Sequence, residues 1–253
     1  SLINTIKEHF RLKLIICFIL CAILPLLILG TISYKISYNI AKDKILKETA
    51  ISCEKNQHLL ENRMTQIENL EDSIHFNLCM LCTTAERPMS NYLDKLSAVR
   101  NNIASIADSF NIYHVNIFLP DDSFASKEGL TFCSLSDLKK YKVQLSDFSK
   151  QGLTPNWIFR KDINFPYMVS KGEEPSGVLS CYRYAKINSQ KTCLAVHITS
   201  EELSNYLNTF SEGNPSLSYI INSEGVVLSS TDKKQIGGSL SNEKLHAITQ
   251  NLR

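Results

Sequence analysis

One stretch limits what this chain can become more than any other. Leu14–Tyr34, LIICFILCAILPLLILGTISY, carries no charged residue over 21 positions, and an uncharged apolar run of that length is long enough to cross a bilayer as a helix. Pro25 falls near its middle, where it removes one backbone donor and predicts a bend that a membrane helix tolerates. Lys7, Arg11 and Lys13 precede the run. The run exceeds the apolar region of a secretory leader and no small-x-small site closes it, so the expectation is a retained signal anchor with its N-terminus inside. Lys35, Lys42, Lys44 and Lys47 follow and nearly balance the charge across the run, so the positive-inside rule adds little. Residues 1–13 are thus expected in the cytoplasm, 14–34 in the cell membrane, and the bulk of the chain outside.

Beyond the run, residues 36–81 contain neither proline nor glycine, and Leu60, Met64, Ile67, Leu70, Ile74, Leu78 and Leu81 recur three or four apart. That periodicity predicts an amphipathic helix. At 1.5 Å per residue it would be on the order of 70 Å long, which reads as a stalk over residues 35–86. Glu86-Arg87-Pro88 ends it, and Ser90 is placed to cap a second helix with the stripe Leu93, Leu96, Val99, Ile103, Ile106 and Phe110.

The pattern changes at Ile112, where IYHVNIFLP and the cluster Pro120-Asp121-Asp122-Ser123 predict a strand and a turn. Leu135–Leu145 reads as short helical turns capped by Ser134 or Ser136, before the Gly152/Pro155 loop. Three strands are expected at Tyr167–Ser170, Val178–Ile187 and Thr192–Ile198. Their spacing suggests a meander, hence an antiparallel sheet with helices on one face. Thr199 or Ser200 caps a short helix through Leu207. Leu217–Ile221 and Val226–Ser229 flank Asn222-Ser223-Glu224-Gly225, a hairpin signal that opens a second small sheet, and a further helix is expected from Asn242. The fold class is α+β: a membrane helix, a stalk helix, one domain over residues 87–210 and the start of another over 211–253. Ser1 in place of Met, and a last segment with no closing element, suggest a fragment at both ends.

The formal net charge of +2 leaves no strongly basic face, which argues against nucleic acid as a partner. The eight cysteines are scattered rather than spaced as a disulfide framework. His75, Cys79 and Cys82 would share one helical face, but there is no second Cys-x-x-Cys, so buried packing thiols are expected instead of a metal site. No nucleophile–base pair, carboxylate pair or phosphate-binding loop assembles from local spacing, so no catalytic residues are assigned.

Two strings carry a family resemblance. Leu24-Pro25-Leu26-Leu27-Ile28-Leu29-Gly30 with Ile32-Ser33-Tyr34, and Tyr219 through Ser230 with Ile236-Gly237, resemble the first span and the membrane-proximal Cache subdomain of YesM-like sensor histidine kinases of Gram-positive bacteria. The resemblance implies a double Cache sensor with PAS-like sheets, a homodimer, a small extracellular ligand, and a cytoplasmic kinase beyond a second span. That kinase would use ATP and magnesium and pass phosphate to a response regulator; residues 1–253 themselves would need no cofactor. The same front end occurs on AraC-type regulators, chemoreceptors and cyclases, so the output stays open. An anchored binding or adhesion module is the alternative of a different class.

Cache domains commonly bind ligands against the central sheet of the membrane-distal subdomain. Here the resemblance points to Trp157, Arg160, Tyr167, Tyr182 and Tyr184, with Arg183: aromatic walls supply contact area and an arginine holds a carboxylate by two hydrogen bonds. The alternative is that Trp157 and Tyr167 fill the core and the arginines lie at the surface. Tyr182 and Tyr184 alternate with Cys181 and Arg183, so the tyrosines share one strand face and Arg183 takes the other. Trp157-Ile158-Phe159-Arg160 departs from the Arg-x-Trp-Tyr order of the amino-acid-binding Cache signature.

Overall fold

The computed structural model of the protein describes residues 2–82, 89–141, 155–161, 174–187, 189–207 and 218–241. The chain divides into two compact units, Ser1–Glu54 and Lys55–Arg253. Helix α1 (Leu2–Cys82) supplies every described residue of the first and the start of the second.

In the first unit the side chains from Leu12 to Ile51 are exposed, including Ile16, Phe18, Leu24, Leu27 and Ile32. A continuous apolar surface of this size is not stable against water, and with its backbone bonded internally the segment is long and apolar enough to span a membrane once. Pro25 sits inside the helix without ending it. The Thr31 hydroxyl, one turn and a half later, donates to the carbonyls of Leu27 and Ile28, both at 2.9 Å.

The second unit opens with the amphipathic half of α1. Ile67, Leu70, Ile74 and Leu78 are buried, with Leu60 and Met64 packed beside them, the spacing the sequence predicts; the side chain of Leu81 lies outside the described residues. Burial of each such side chain stabilises by ~1.5–3 kcal/mol. The same face carries polar residues whose partners are far away in sequence. Asn56 Nδ2 donates to the Tyr206 carbonyl at 2.7 Å, and Arg63 donates to the Phe110 carbonyl.

Helix α2 (Met89–Ser109) packs through Leu96, Val99, Ile103 and Ile106. Ser90, expected as its cap, is instead its second residue, and the ends of the predicted stripe, Leu93 and Phe110, are exposed. The helix stops because Asn111 turns to φ 49°, which lets the Ile112 amide reach back to the Ala107 carbonyl at 2.7 Å, a left-handed C-terminal cap.

The main sheet, among the described residues, contains β1 (His114–Leu119), β2 (Phe132–Ser134), β3 (Asn156–Arg160), β4 (Val178–Ile187) and β5 (Gln190–Thr199) in the order β2-β1-β5-β4-β3. It is mixed, which corrects the antiparallel expectation: β2 runs parallel to β1, Ile117 opposite Phe132. The chain gains the length for this crossover through the Pro120–Ser123 turn, a 3-10 turn at Ala125–Lys127 and Gly129 at φ 77°. Strands β4 and β5 form the predicted hairpin, with Ser189 at φ 66° in its turn. The helical turns expected at Leu135–Leu145 occur as a 3-10 segment over Leu135–Tyr141. The strand expected at Tyr167–Ser170 and the helix expected from Asn242 lie outside the described residues.

Helix α3 (Ser200–Ser204) follows β5 directly, its first turn capped by the Thr199 hydroxyl, which accepts from the Glu202 amide at 3.1 Å. Strands β6 (Tyr219–Ile221) and β7 (Val227–Ser230) form the second sheet. Asn222 holds their turn, its Oδ1 accepting from the amides of Glu224 and Val226 at 3.1 and 2.8 Å.

Candidate functional site

Strand register sorts the sheet into two faces. Residues opposite one another in a ladder share a face, so Trp157, Cys181, Val196 and Val115 lie on one, and Asn156, Tyr182, Ala195 and Asn116 on the other. The first face meets α1. Trp157 Nε1 donates to Glu68 Oε1 at 2.9 Å, Arg183 Nε lies 3.3 Å from Glu71 Oε2, and Arg183 also pairs with Asp72.

The predicted ligand residues therefore divide. Arg160, Tyr182 and Tyr184 lie on the face turned from α1, Trp157 lies on the α1 face, and Tyr167 is outside the described residues. Tyr182 is buried with Phe118, Cys133, Leu138, Cys193 and Ala195, and Tyr184 packs at the margin of that cluster. Arg160 donates to the Phe159 carbonyl at 3.2 Å. Arg183 keeps to the face opposite the tyrosines and is held beside Glu71 and Asp72 of α1.

Sequence reasoning missed a polar relay on the Tyr182 face. His197 is fully buried; its Nδ1 lies 2.7 Å from Ser180 Oγ and its Nε2 2.9 Å from Asn116 Oδ1. Asn116 Nδ2 donates to the Leu130 carbonyl at 2.7 Å. A carbonyl only accepts, so the amide is oriented, Oδ1 faces His197, His197 carries its proton on Nε2, and Ser180 donates to Nδ1. Tyr182 meets the His197 ring edge-on, centroids 6.0 Å apart. Burial, with His114 adding to it, pushes the His197 pKa well below its usual value. A serine donating to an imidazole is the start of a nucleophile. Here Ser180 is itself buried and the third member is an amide, which cannot offset an imidazolium charge, so the relay orders the core.

An open cleft of about 560 Å³ lies where α2 and β5 end and β1 and α3 begin, lined by Asp108, Asn111, Tyr113, Glu174, Glu201 and Glu202, with Lys233. Two of its carboxylates, Glu201 and Glu202, are already engaged. Glu202 accepts from Asn111, from Asn205 Nδ2 at 3.1 Å and from Arg63 at 3.5 Å. Glu201 accepts from Ser176 N and Oγ at 3.1 and 2.7 Å, with Lys233 at 4.0 Å. Burial, then Glu174 and Glu201, raise the Tyr113 pKa. The cleft has a negative potential suited to a cationic or donor-rich ligand. No local sequence signal marks it, because its lining comes from the ends of separate elements.

His75 Nε2 and Cys79 Sγ approach to 3.7 Å on α1, and the side chain of Cys82 is outside the described residues. Among the described residues no three metal-ligating side chains converge. No protein-family model matches the chain, and no curated protein is significantly similar to it.

Proposed function

We propose that the chain is the extracytoplasmic sensing region of a membrane-anchored receptor of the double Cache type whose output is a two-component histidine kinase. One observation carries the reading: α1 contains both the exposed apolar segment Leu14–Tyr34 and the stripe Ile67–Leu78 that is buried against one face of the sheet. A shift of α1 against β3 and β4 is the event that reports ligand binding, since packed interfaces change between discrete arrangements. The helices on one face of a five-stranded sheet, followed by a second small sheet, support a PAS-like architecture. The ligand is small and extracellular, and the cleft volume falls in the range of small-molecule sites. The receptor acts as a homodimer and signals to a response regulator.

The test is a thermal-shift screen of the full chain in nanodiscs against amino acids, amines, organic acids, sugars and short peptides. A saturable rise in Tm is expected for a compound that binds the folded state, and Glu174→Gln or Tyr113→Phe is expected to weaken it. Silence across the panel overturns direct small-molecule sensing. The gene sequence downstream of Arg253 tests the output: a second apolar span and a kinase domain are expected, and a helix-turn-helix module there overturns the kinase assignment.

A further inference from the structure

The contact between α1 and the sheet contains a carboxyl group in an unusual position. Glu71 is fully buried among Ile67, Leu70, Ile74 and the sheet. Its Oε1 has no hydrogen-bond partner among the described residues. Its Oε2 receives only the Cys181 thiol at 3.5 Å and lies 3.3 Å from Arg183 Nε, whose N–H is not aimed at it. The Arg183 guanidinium turns its other nitrogens elsewhere, Nη1 to Asp72 at the exposed rim and Nη2 to the Glu68 carbonyl at 3.4 Å. A buried carboxylate needs hydrogen bonds on both oxygens to offset its lost hydration. Glu71 lacks them, and the arginine beside it is shared.

Among the described residues the charged and titratable groups around it are few. Arg183 and Cys181 face it from β4, Glu68 and Asp72 flank it on α1, and Cys193 lies across the sheet on β5. Helix α2 meets this core through Leu96, Val99, Ile103 and Ile106. We propose that Glu71 and Arg183 form a proton-operated catch between α1 and the sheet, closed with the Glu71 carboxyl neutral and loosened when that carboxyl ionises. The direction of titration agrees with this geometry: burial raises the Glu71 pKa to about 8, against the opposing pull of Arg183 and the Cys181 hydrogen bond.

The sign follows from linkage. A carboxyl that is neutral in the closed contact and ordinary in the open one binds a proton on closing, so the contact is firmest below the open-state pKa and is lost as pH rises through the closed-state pKa. The catch is independent of which ligand the protein senses.

Two measurements on the full chain in nanodiscs test it. Isotope-edited infrared spectroscopy with carboxyl-labelled glutamate is expected to show a protonated, buried carboxyl at pH 6 that is half titrated near pH 8 and is absent in Glu71→Gln. Hydrogen exchange of the α1 amides over residues 66–74, corrected for intrinsic rate, is expected to show an opening constant that rises by up to about tenfold per pH unit between pH 5 and 8 and then levels. Glu71→Gln is expected to flatten that dependence, and Asp72→Asn to retain it. Absence of the protonated band at pH 6 overturns the proposal, as does an unchanged pH dependence of opening in Glu71→Gln. The wild-type infrared result decides the matter even if the variant does not fold.

Discussion

At the scale of single residues, the Ser180–His197–Asn116 relay shows how a polar group is kept in an apolar sheet. Each hydrogen bond has one direction, set from the Leu130 carbonyl outward, so deleting one member strands the next. Ser180→Ala removes the donor to His197 Nδ1 and leaves a buried acceptor unsatisfied, which is expected to cost ~1–3 kcal/mol in denaturant or thermal melting. A cost within error of zero would mean that a water or another donor replaces the hydroxyl. The same histidine gives stability a pH dependence. His197 and His114 are held below their usual pKa by burial, so unfolding takes up protons and stability is lost as pH falls below about 6.5. Glu71 acts in the opposite sense as pH rises toward 8. The Tm of the wild type is therefore expected to fall on both sides of a maximum near about pH 6. A Tm that rises monotonically from pH 6 to 8 would show that Glu71 is ionised in the folded protein.

At the scale of elements, the start of β4 and the cap of α3 are built around one glycine. A Cβ on Gly177 would lie 2.5 Å from Phe159 Cζ and 2.8 Å from Ser200 Oγ, and the Gly177 carbonyl accepts from the Ser200 amide at 2.9 Å. Gly177→Ala is expected to destabilise by ~1–3 kcal/mol through overpacking, whereas Thr199→Ala, which loses only the α3 cap, is expected to cost ~1 kcal/mol. A cost of Gly177→Ala within error of zero in chemical denaturation would contradict the packing argument. The elements that sequence made legible are those whose signal is local: the stripe of α1, the long strands β4 and β5, the Thr199 cap and the Asn222 turn. Strands β2 and β3 were not legible. The first is three residues long and exists only by pairing alongside β1. The second, NWIFR, is half-buried at every position and so shows no alternation. For the candidate site, alternation correctly separated Tyr182 and Tyr184 from Arg183. It did not reveal that Trp157 bonds to α1, since its partner Glu68 lies 89 positions away, nor that His197 is buried beside a serine from the neighbouring strand.

At the scale of the whole molecule, the second sheet and the long apolar segment each raise a question of what holds them. A two-stranded sheet is marginal by itself, and β7 is fastened by a reciprocal pair of buried bonds: Ser200 Oγ donates to the Leu228 carbonyl at 2.6 Å, and Ser229 Oγ donates to the Ser200 carbonyl at 2.7 Å. Both bonds span the same junction, so Ser200→Ala and Ser229→Ala are expected to be non-additive, with a coupling of ~0.5–2 kcal/mol in a double-mutant cycle; strict additivity would mean that the two bonds act independently. For the apolar segment, cysteine positions provide an internal probe of side. Cys17 and Cys21 fall within the apolar run, Cys53 is exposed, and Cys133, Cys181 and Cys193 are buried. Burial raises the pKa of the Cys133 thiol to about 11 and those of Cys181 and Cys193 further still, which leaves little reactive thiolate. A membrane-impermeant maleimide applied to intact cells is expected to modify Cys53 and to spare Cys17, Cys21 and the three buried thiols, as mapped by peptide mass. Modification of Cys53 only after permeabilisation would place the sheet domain in the cytoplasm, reverse the orientation expected of a signal anchor, and remove the basis for an extracellular ligand.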